Sequence, residues 1–345
     1  MNYRDFFKKT ADIRGLLLFS GEEEYAKQQA LKALRESRLP PGMEALNETV
    51  FEGAVDLATL ESSCETLPFM GDVRLVIWRE CPLASAQARG AADQQLTKDV
   101  CDYVARLPDH VILLIFVRGN ADKRKQLVQL IYGMNAAVDF PVLSEPEVIS
   151  WCTKYCADFG KKIEIAAAKK LIEFSGRLLQ DIKDGLEKAL SYIGDAEAVT
   201  VKDIEAIVAP SLEFRGYQMA SSLLDLKEAE VMGMIKQLVI DGEKALPLLL
   251  NISRAVNQHL SVKLMTEGNV PVDSIAATLG FSPGAVRALS ARARRLNIDA
   301  LAAAIKLCNE TDLAMKTTSL TEDMALSRLY IAVFSIIRLL RRSAA

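Results

Sequence analysis

Gly21-Glu-Glu-Glu-Tyr-Ala26-Lys27-Gln28 can be laid on the phosphate-binding pattern G-x-x-x-x-G-K-[ST], with Gly21 and Lys27 in register. In that pattern successive backbone amides wrap a phosphate, the lysine neutralises it, and the hydroxyl holds Mg²⁺. Here Ala26 stands where the permissive second glycine is needed, and Gln28 where the hydroxyl is needed. Glu22, Glu23 and Glu24 place three negative charges where a triphosphate would lie, so Coulomb repulsion opposes ATP. The same stretch also reads as an ordinary helix start whose acidic residues face the positive end of the dipole, which requires no lost nucleotide site.

The other half of a nucleotide site is missing as well. The apolar run Val111-Ile-Leu-Leu-Ile-Phe-Val117 should end in Asp-Glu to hold metal and water, and it ends in Arg118-Gly-Asn. Six cysteines (Cys64, Cys81, Cys101, Cys152, Cys156, Cys308) lack metal-ligand spacing, with His110 and His259 the only histidines to join them. Neither zinc nor disulfides are expected. Cys152 and Cys156 share a helix face and read as small buried hydrophobes rather than a redox pair. With no Ser-His pair or paired carboxylates, the chain is expected to be a non-enzyme without cofactor or metal.

Four apolar runs are the strand candidates that would carry these loops: Gly15–Phe19, Val73–Trp78, Val111–Val117 and Ala136–Phe140. Their near-continuous apolarity predicts a sheet covered on both faces, hence largely parallel. Between them Glu23–Glu36, Leu57–Thr66 with Asp56 as N-cap, and Lys123–Tyr132 with a basic first turn read as helices. From Ser144 the strand signals stop. Ser144-Glu-Pro-Glu147 opens a helix with Pro and acids in its first turn, helices continue to Ala209, and Thr200-Val-Lys-Asp203 opens the last of them. After Pro210 a helical block runs from about Phe214 to the end, broken at Gly242, Gly268, Gly280 and 317–319. The expected architecture is mostly α with an N-terminal α/β domain, in three parts: 1–142, 143–210 and 211–345.

Half of the 345 residues are hydrophobic and aromatics are few, as in a Leu- and Ala-rich helical globular protein. The N-terminus lacks the apolar core of a signal peptide and no apolar run is long enough to span a bilayer, so a cytoplasmic location is expected. Residues 211–345 carry a net charge of +3 against −6 for 1–210, too weak an asymmetry to argue for nucleic acid.

Several segments, in order along nearly the whole chain, resemble the family of bacterial DNA polymerase III delta subunits. They are Gly21-Glu-Glu-Glu-Tyr after an apolar strand, Glu65-Thr-Leu-Pro-Phe-Met-Gly71 before Arg74-Leu-Val-Ile, Asp122-Lys-Arg124, Gly176-Arg-Leu-Leu-Gln-Asp181 with Leu186-Glu-Lys188, Ala245-Leu-Pro-Leu-Leu-Leu250, and Asp312-Leu-Ala-Met-Lys316-Thr. The resemblance implies an AAA+-like Rossmannoid domain without a working P-loop, a small helical lid and a C-terminal helical collar that joins a five-subunit clamp loader. It implies a non-catalytic role in DNA replication, opening the beta sliding clamp for loading onto primed DNA, with gamma/tau and delta-prime subunits as partners. The family grips the clamp with an apolar wedge at a helix end, matched here by Leu67, Pro68, Phe69 and Met70. Pro68 stops the preceding helix and Phe69 and Met70 follow in a turn. Such a pair suits a partner's pocket, although a Phe-Met pair before a buried strand also reads as core. Arg177 falls where related ATPases carry a nucleotide-sensing arginine, and a structural role is expected for it.

A rival reading rests on residues 272–296. Ser274–Gly280, a turn at Phe281-Ser, and Pro283–Arg295 resemble a helix-turn-helix, which would make the chain a DNA-binding regulator. The second helix begins Pro283-Gly-Ala-Val before Arg287, without early base-reading side chains. Within the delta reading, Phe281 stacking on an unpaired base and Arg287 meeting phosphate are possible DNA contacts; the alternative is a scaffold with Arg292, Arg294 and Arg295 on a solvated face.

Overall fold

The computed structural model describes residues 3–85, 94–281 and 283–344. The chain divides into two compact units, Met1–Ala209 and Pro210–Ala345.

The first unit opens with α1 (Tyr3–Lys9), β1 (Gly15–Ser20), α2 (Glu24–Arg38), α3 (Glu44–Asn47), β2 (Glu48–Glu52) and α4 (Leu57–Glu65). It continues with β3 (Arg74–Arg79), α5 (Gln94–Val104), β4 (Val111–Phe116), α6 (Gln126–Gly133) and β5 (Ala137–Asp139). The five strands form one sheet in the order β2-β3-β4-β1-β5, every neighbouring pair parallel. Alternate strand residues feed two cores. Leu17, Phe19, Ile77 and Leu114 pack with Phe6 of α1 and Ala30, Leu31 and Leu34 of α2. Leu18, Val76, Leu113 and Ile115 pack with Leu60, Val100, Val104 and Leu127 of α4, α5 and α6. Burial on both faces explains the unbroken apolar runs.

Three expectations need correction. The half-exposed Glu-Thr-Val-Phe-Glu, which does not read as an apolar run, forms the edge strand β2. The basic stretch Lys123–Lys125 precedes α6 rather than forming its first turn, with Lys125 at the N-cap. Strands also do not stop at Ser144: β6 (Lys162–Ile163) pairs in parallel with β7 (Ala198–Val199), a two-residue ladder too short to leave a periodic signal. Around it stand α7 (Glu145–Asp158), α8 (Ile165–Ser175), α9 (Leu179–Ile193) and α10 (Val201–Ile207). Ser144 and Thr200 both make the full capping box, with Glu147 and Asp203 reaching back to the cap.

The second unit is wholly helical: α11 (Leu212–Leu224), α12 (Glu228–Ile240), α13 (Ala245–Glu267), α14 (Val272–Leu279), α15 (Pro283–Ala293), α16 (Ile298–Thr317) and α17 (Glu322–Ala344). Leu248, Ile252 and Val256 of α13 pack with Leu301, Ala304 and Cys308 of α16 and with Val333 and Ile337 of α17, giving one long core. Among the described residues no helix is long and apolar enough to cross a membrane.

Candidate functional site

Two places in the first unit bear on function: the crevice at the ends of β1 and β4, and the turn after α4. The chain leaves β1 into α2 on one face of the sheet and leaves β4 toward α6 on the other, so the two loops diverge. In open parallel sheets this switch point is where a ligand's phosphates sit.

Here the crevice is filled from within. The Gly21 N–H donates to the Gly119 carbonyl at 2.9 Å, joining the two loops. Glu24 Oε1 accepts from the Gly119 N–H at 2.9 Å and from Lys27 Nζ at 2.6 Å. Lys27, fully buried, also donates to the Val117 carbonyl at 2.7 Å. Burial pushes its ammonium pKa down, and Glu24 opposes the shift. A buried ammonium is tolerated only when its donors are met, and this one is turned onto protein acceptors rather than toward a ligand. Asn120 Nδ2 donates to Glu22 Oε1 at 3.1 Å across the same gap.

Glu23 is 2% exposed, and its Oε2 accepts the Leu179 N–H at the start of α9 at 3.2 Å. Burial pushes its carboxyl pKa up, while the N–H groups of Leu179, Tyr25 and Ala26 pull it down. The carboxylate therefore lies at the positive ends of both α2 and α9, where an external anion would be drawn. Gly21 adopts φ +129°, and a Cβ there would fall 2.1 Å from the Phe140 carbonyl oxygen. Ala26 is buried and Gln28 is exposed, so Gln28 contributes nothing to the crevice interior.

The turn after α4 presents apolar surface outward. Leu67 and Met70 are each 75% exposed and Phe69 51%, with Pro68 half-buried between them. Asp56 caps the start of α4 through Thr59 N–H at 2.9 Å, and Leu60 and Cys64 bury its inner face. What fixes the turn is Asn47, which is fully buried. Its Oδ1 accepts the Phe69 N–H at 2.7 Å, and its Nδ2 donates to the carbonyls of Phe69 at 2.9 Å and Met43 at 3.2 Å. Arg74 ties the same corner together, donating to the Ser63 carbonyl at 2.7 Å, the Leu46 carbonyl at 3.2 Å and Thr49 Oγ1 at 2.9 Å. Met70 is held at φ +52°, a left-handed conformation that costs a non-glycine residue about 1 kcal/mol. Three large apolar side chains are thus kept in water on a rigid, locally strained turn.

Asn47 carries no signal in the sequence, since the residue it fixes, Phe69, lies 22 residues away and is held by its backbone atoms. Among the described residues no group of three His, Cys, Asp or Glu is placed to hold a metal ion. Arg177 is exposed, and Lys316 pairs with Asp312 at 2.8 Å on α16. In the second unit, α14 and α15 form a hairpin closed over Ile275, Ala276, Val286 and Leu289, with Phe281 half-buried against that core and Arg287 exposed. Arg292 is paired with Asp225 at 2.9 Å rather than free on a solvated face.

Two family models match in order along the chain: "DNA polymerase III, delta subunit" over residues 17–138 and "DNA polymerase III delta subunit, C-terminal domain" over 213–333. The second spans the helix-turn-helix-like hairpin. The DNA polymerase III subunit delta of Bacillus subtilis is 23% identical over 311 residues, covering 90% of either chain. The solved structure of the Bacillus subtilis DNA clamp loader delta protein superposes with a TM-score of 0.62 at 21% identity, over 97% of this chain and 99% of that one. With two models of the one family matching in order over residues 17–138 and 213–333, the chain belongs to the DNA polymerase III delta subunit family.

Proposed function

We propose that this chain is the clamp-opening subunit of its clamp loader, binding the ring-shaped sliding clamp through Leu67, Pro68, Phe69 and Met70 and binding no ATP itself. The observation that carries the reading is the turn after α4: exposed apolar side chains on a turn whose Phe69 backbone is bonded to the buried Asn47, with Met70 beside it at positive φ. Pre-ordered large side chains lose little entropy on docking and are the usual anchors of an interface. The filled crevice supports the absence of nucleotide, because ATP would have to displace Glu23, Glu24 and the Lys27 bond to Val117 together. A non-catalytic role follows.

Opening needs no hydrolysis in this chain. A ligand shifts an equilibrium only by its differential affinity, so the turn opens the clamp by fitting its open form better than its closed one. ATP on neighbouring gamma/tau subunits would expose or hide the turn, with delta-prime completing the five-subunit ring around primed DNA. In this reading residues 1–142 are the AAA+-like clamp-binding domain, 143–210 the lid and 211–345 the collar. Exposed Arg287 is the better placed of the two DNA-contact candidates, since Phe281 is partly committed to the hairpin core. The test is retention of the purified, folded chain on the sliding clamp with ATP absent; a folded chain that shows no binding overturns the proposal.

A further inference from the structure

Behind the crevice, a cavity of about 150 Å³ opens between α1, α2, α7 and the start of α9. Its walls include the rings of Tyr3, Phe7, Tyr25, Phe140 and Trp151, with Glu23 and Gln29 among the polar residues that line it. Phe140 is buried at the base, whereas Phe7 is 40% exposed and Tyr3, Tyr25 and Trp151 are half-buried around the opening. The walls hold one another in place: Tyr25 meets Trp151 edge-on at 5.9 Å, and Tyr3 lies 6.1 Å from Phe140.

Glu23 is the charged member of this group. It is 98% removed from solvent, yet among the described residues it has no salt-bridge partner. The nearby Lys27 ammonium is committed to Glu24 and to the Val117 carbonyl. Buried carboxylates are normally ion-paired, whereas this one is met by backbone N–H groups alone, that of Leu179 at 3.2 Å and those of Tyr25 and Ala26. Aromatic faces are electron-rich and attract cations, so rings beside a carboxylate that has no ion-pair partner among the described residues complement a small organic cation. The volume selects its size, since a cavity of about 150 Å³ admits a single six-membered ring or a group of similar bulk.

We propose that this cavity is a binding site for a small, flat organic cation of the guanidinium or amidinium class, with Glu23 as its counter-charge and the rings of Tyr25 and Trp151 as its walls. The planar head offers two parallel N–H donors to the carboxylate and its faces to the rings. The site is independent of the clamp-binding turn, which lies beyond α4, so the two proposals fail separately.

The probes are benzamidine and agmatine, titrated into the full chain by calorimetry at constant ionic strength. Tryptophan fluorescence is followed in parallel, because Trp151 lines the cavity while Trp78 is buried in the sheet. Saturable binding with altered Trp151 emission is expected. Glu23→Gln, which keeps an acceptor for the Leu179 N–H but removes the charge, should weaken it about tenfold or more. Where Glu23→Gln does not fold, neutral benzamide on the wild-type chain gives the same comparison and should bind at least about tenfold more weakly than benzamidine. No saturable binding by the folded chain overturns the proposal, and so does equal affinity for benzamide or for Glu23→Gln, which would mark an apolar hole only.

Discussion

Replacing Phe69 and Met70 together by alanine separates a docking surface from a piece of core. Fully burying a Leu, Phe or Met side chain is worth roughly 2 kcal/mol. Scaled by the exposed fractions of 75% for Leu67, 51% for Phe69 and 75% for Met70, a partner that covers the turn gains roughly 4 kcal/mol from all three and roughly 2.5 kcal/mol from the Phe69–Met70 pair. The double variant should therefore bind the sliding clamp about sixtyfold more weakly. Its urea midpoint should barely move, because these side chains touch mostly water in the free chain and such surface changes stay within about 0.5 kcal/mol. Asn47→Ala is the complementary perturbation. It removes three hydrogen bonds from a buried group, each worth about 1 kcal/mol, so it should lower stability by roughly 2–3 kcal/mol and weaken clamp binding by freeing the turn. Clamp affinity measured by surface plasmon resonance without ATP, beside equilibrium unfolding, distinguishes the two. A double variant that binds like wild type, or that loses binding only as it unfolds, refutes the reasoning.

Three further outcomes follow from the same packing. Ala26→Gly with Gln28→Thr restores the letter of the phosphate-binding pattern, yet calorimetry should show no ATP binding, because Glu23, Glu24 and Lys27 still fill the crevice; ATP binding by this variant would show that the loop lacks only those residues. Gly21→Ala drives a Cβ to 2.1 Å from the Phe140 carbonyl at φ +129° and should cost more than about 3 kcal/mol, read as a collapse of the urea midpoint. His259 is buried with Nδ1–H on the Ala255 carbonyl and Nε2 unpartnered, and burial holds its pKa below the ordinary 6.5. The unfolded chain then binds the proton more readily, so stability falls as pH drops through 6.5 toward the folded value, with a slope of at most about 1.4 kcal/mol per pH unit. Arg292 deepens the shift and Asp225 opposes it. Unfolding of His259→Leu from about pH 8 to about pH 5 should lack this contribution, and an unchanged wild-type minus variant difference across that range would rule it out.

The sequence exposed the features whose signal is local. Four apolar runs located four of the five strands of a doubly covered sheet, and the acidic Gly21–Gln28 stretch marked the turn from β1 into α2. The Pro68 stop after a helical apolar face placed Phe69 and Met70 in a turn, but whether that turn faced a partner or the core was not legible from spacing. The turn is tied by Asn47, which bonds the backbone of Phe69 across the intervening β2 and α4 of the chain, a contact between an asparagine and main-chain atoms that no pattern encodes. The edge strand β2 and the β6–β7 ladder were invisible for a related reason: a half-exposed or two-residue strand has too few buried positions to impose a period.

The crevice shows most clearly what the third dimension adds. Three glutamates in a row are ambiguous in one dimension, where they serve as a dipole-capped helix start or as a hostile phosphate loop. Folded, they diverge into three separate tasks. Glu22 spans to Asn120, Glu24 accepts from Lys27 and the Gly119 N–H, and Glu23 turns inward to the first amide of α9. Their partners are Lys27 on α2 itself, Gly119 and Asn120 in the loop after β4, and Leu179 at the start of α9, 3 to 156 residues away. A bound nucleotide holds such loops together only while it is bound, whereas carboxylates built into the chain do so permanently. In the proposed role, a partner-facing turn keeps one shape while nucleotides come and go on neighbouring subunits, and this arrangement would serve it by fixing the sheet, α2 and α9 without a ligand whose departure would release them.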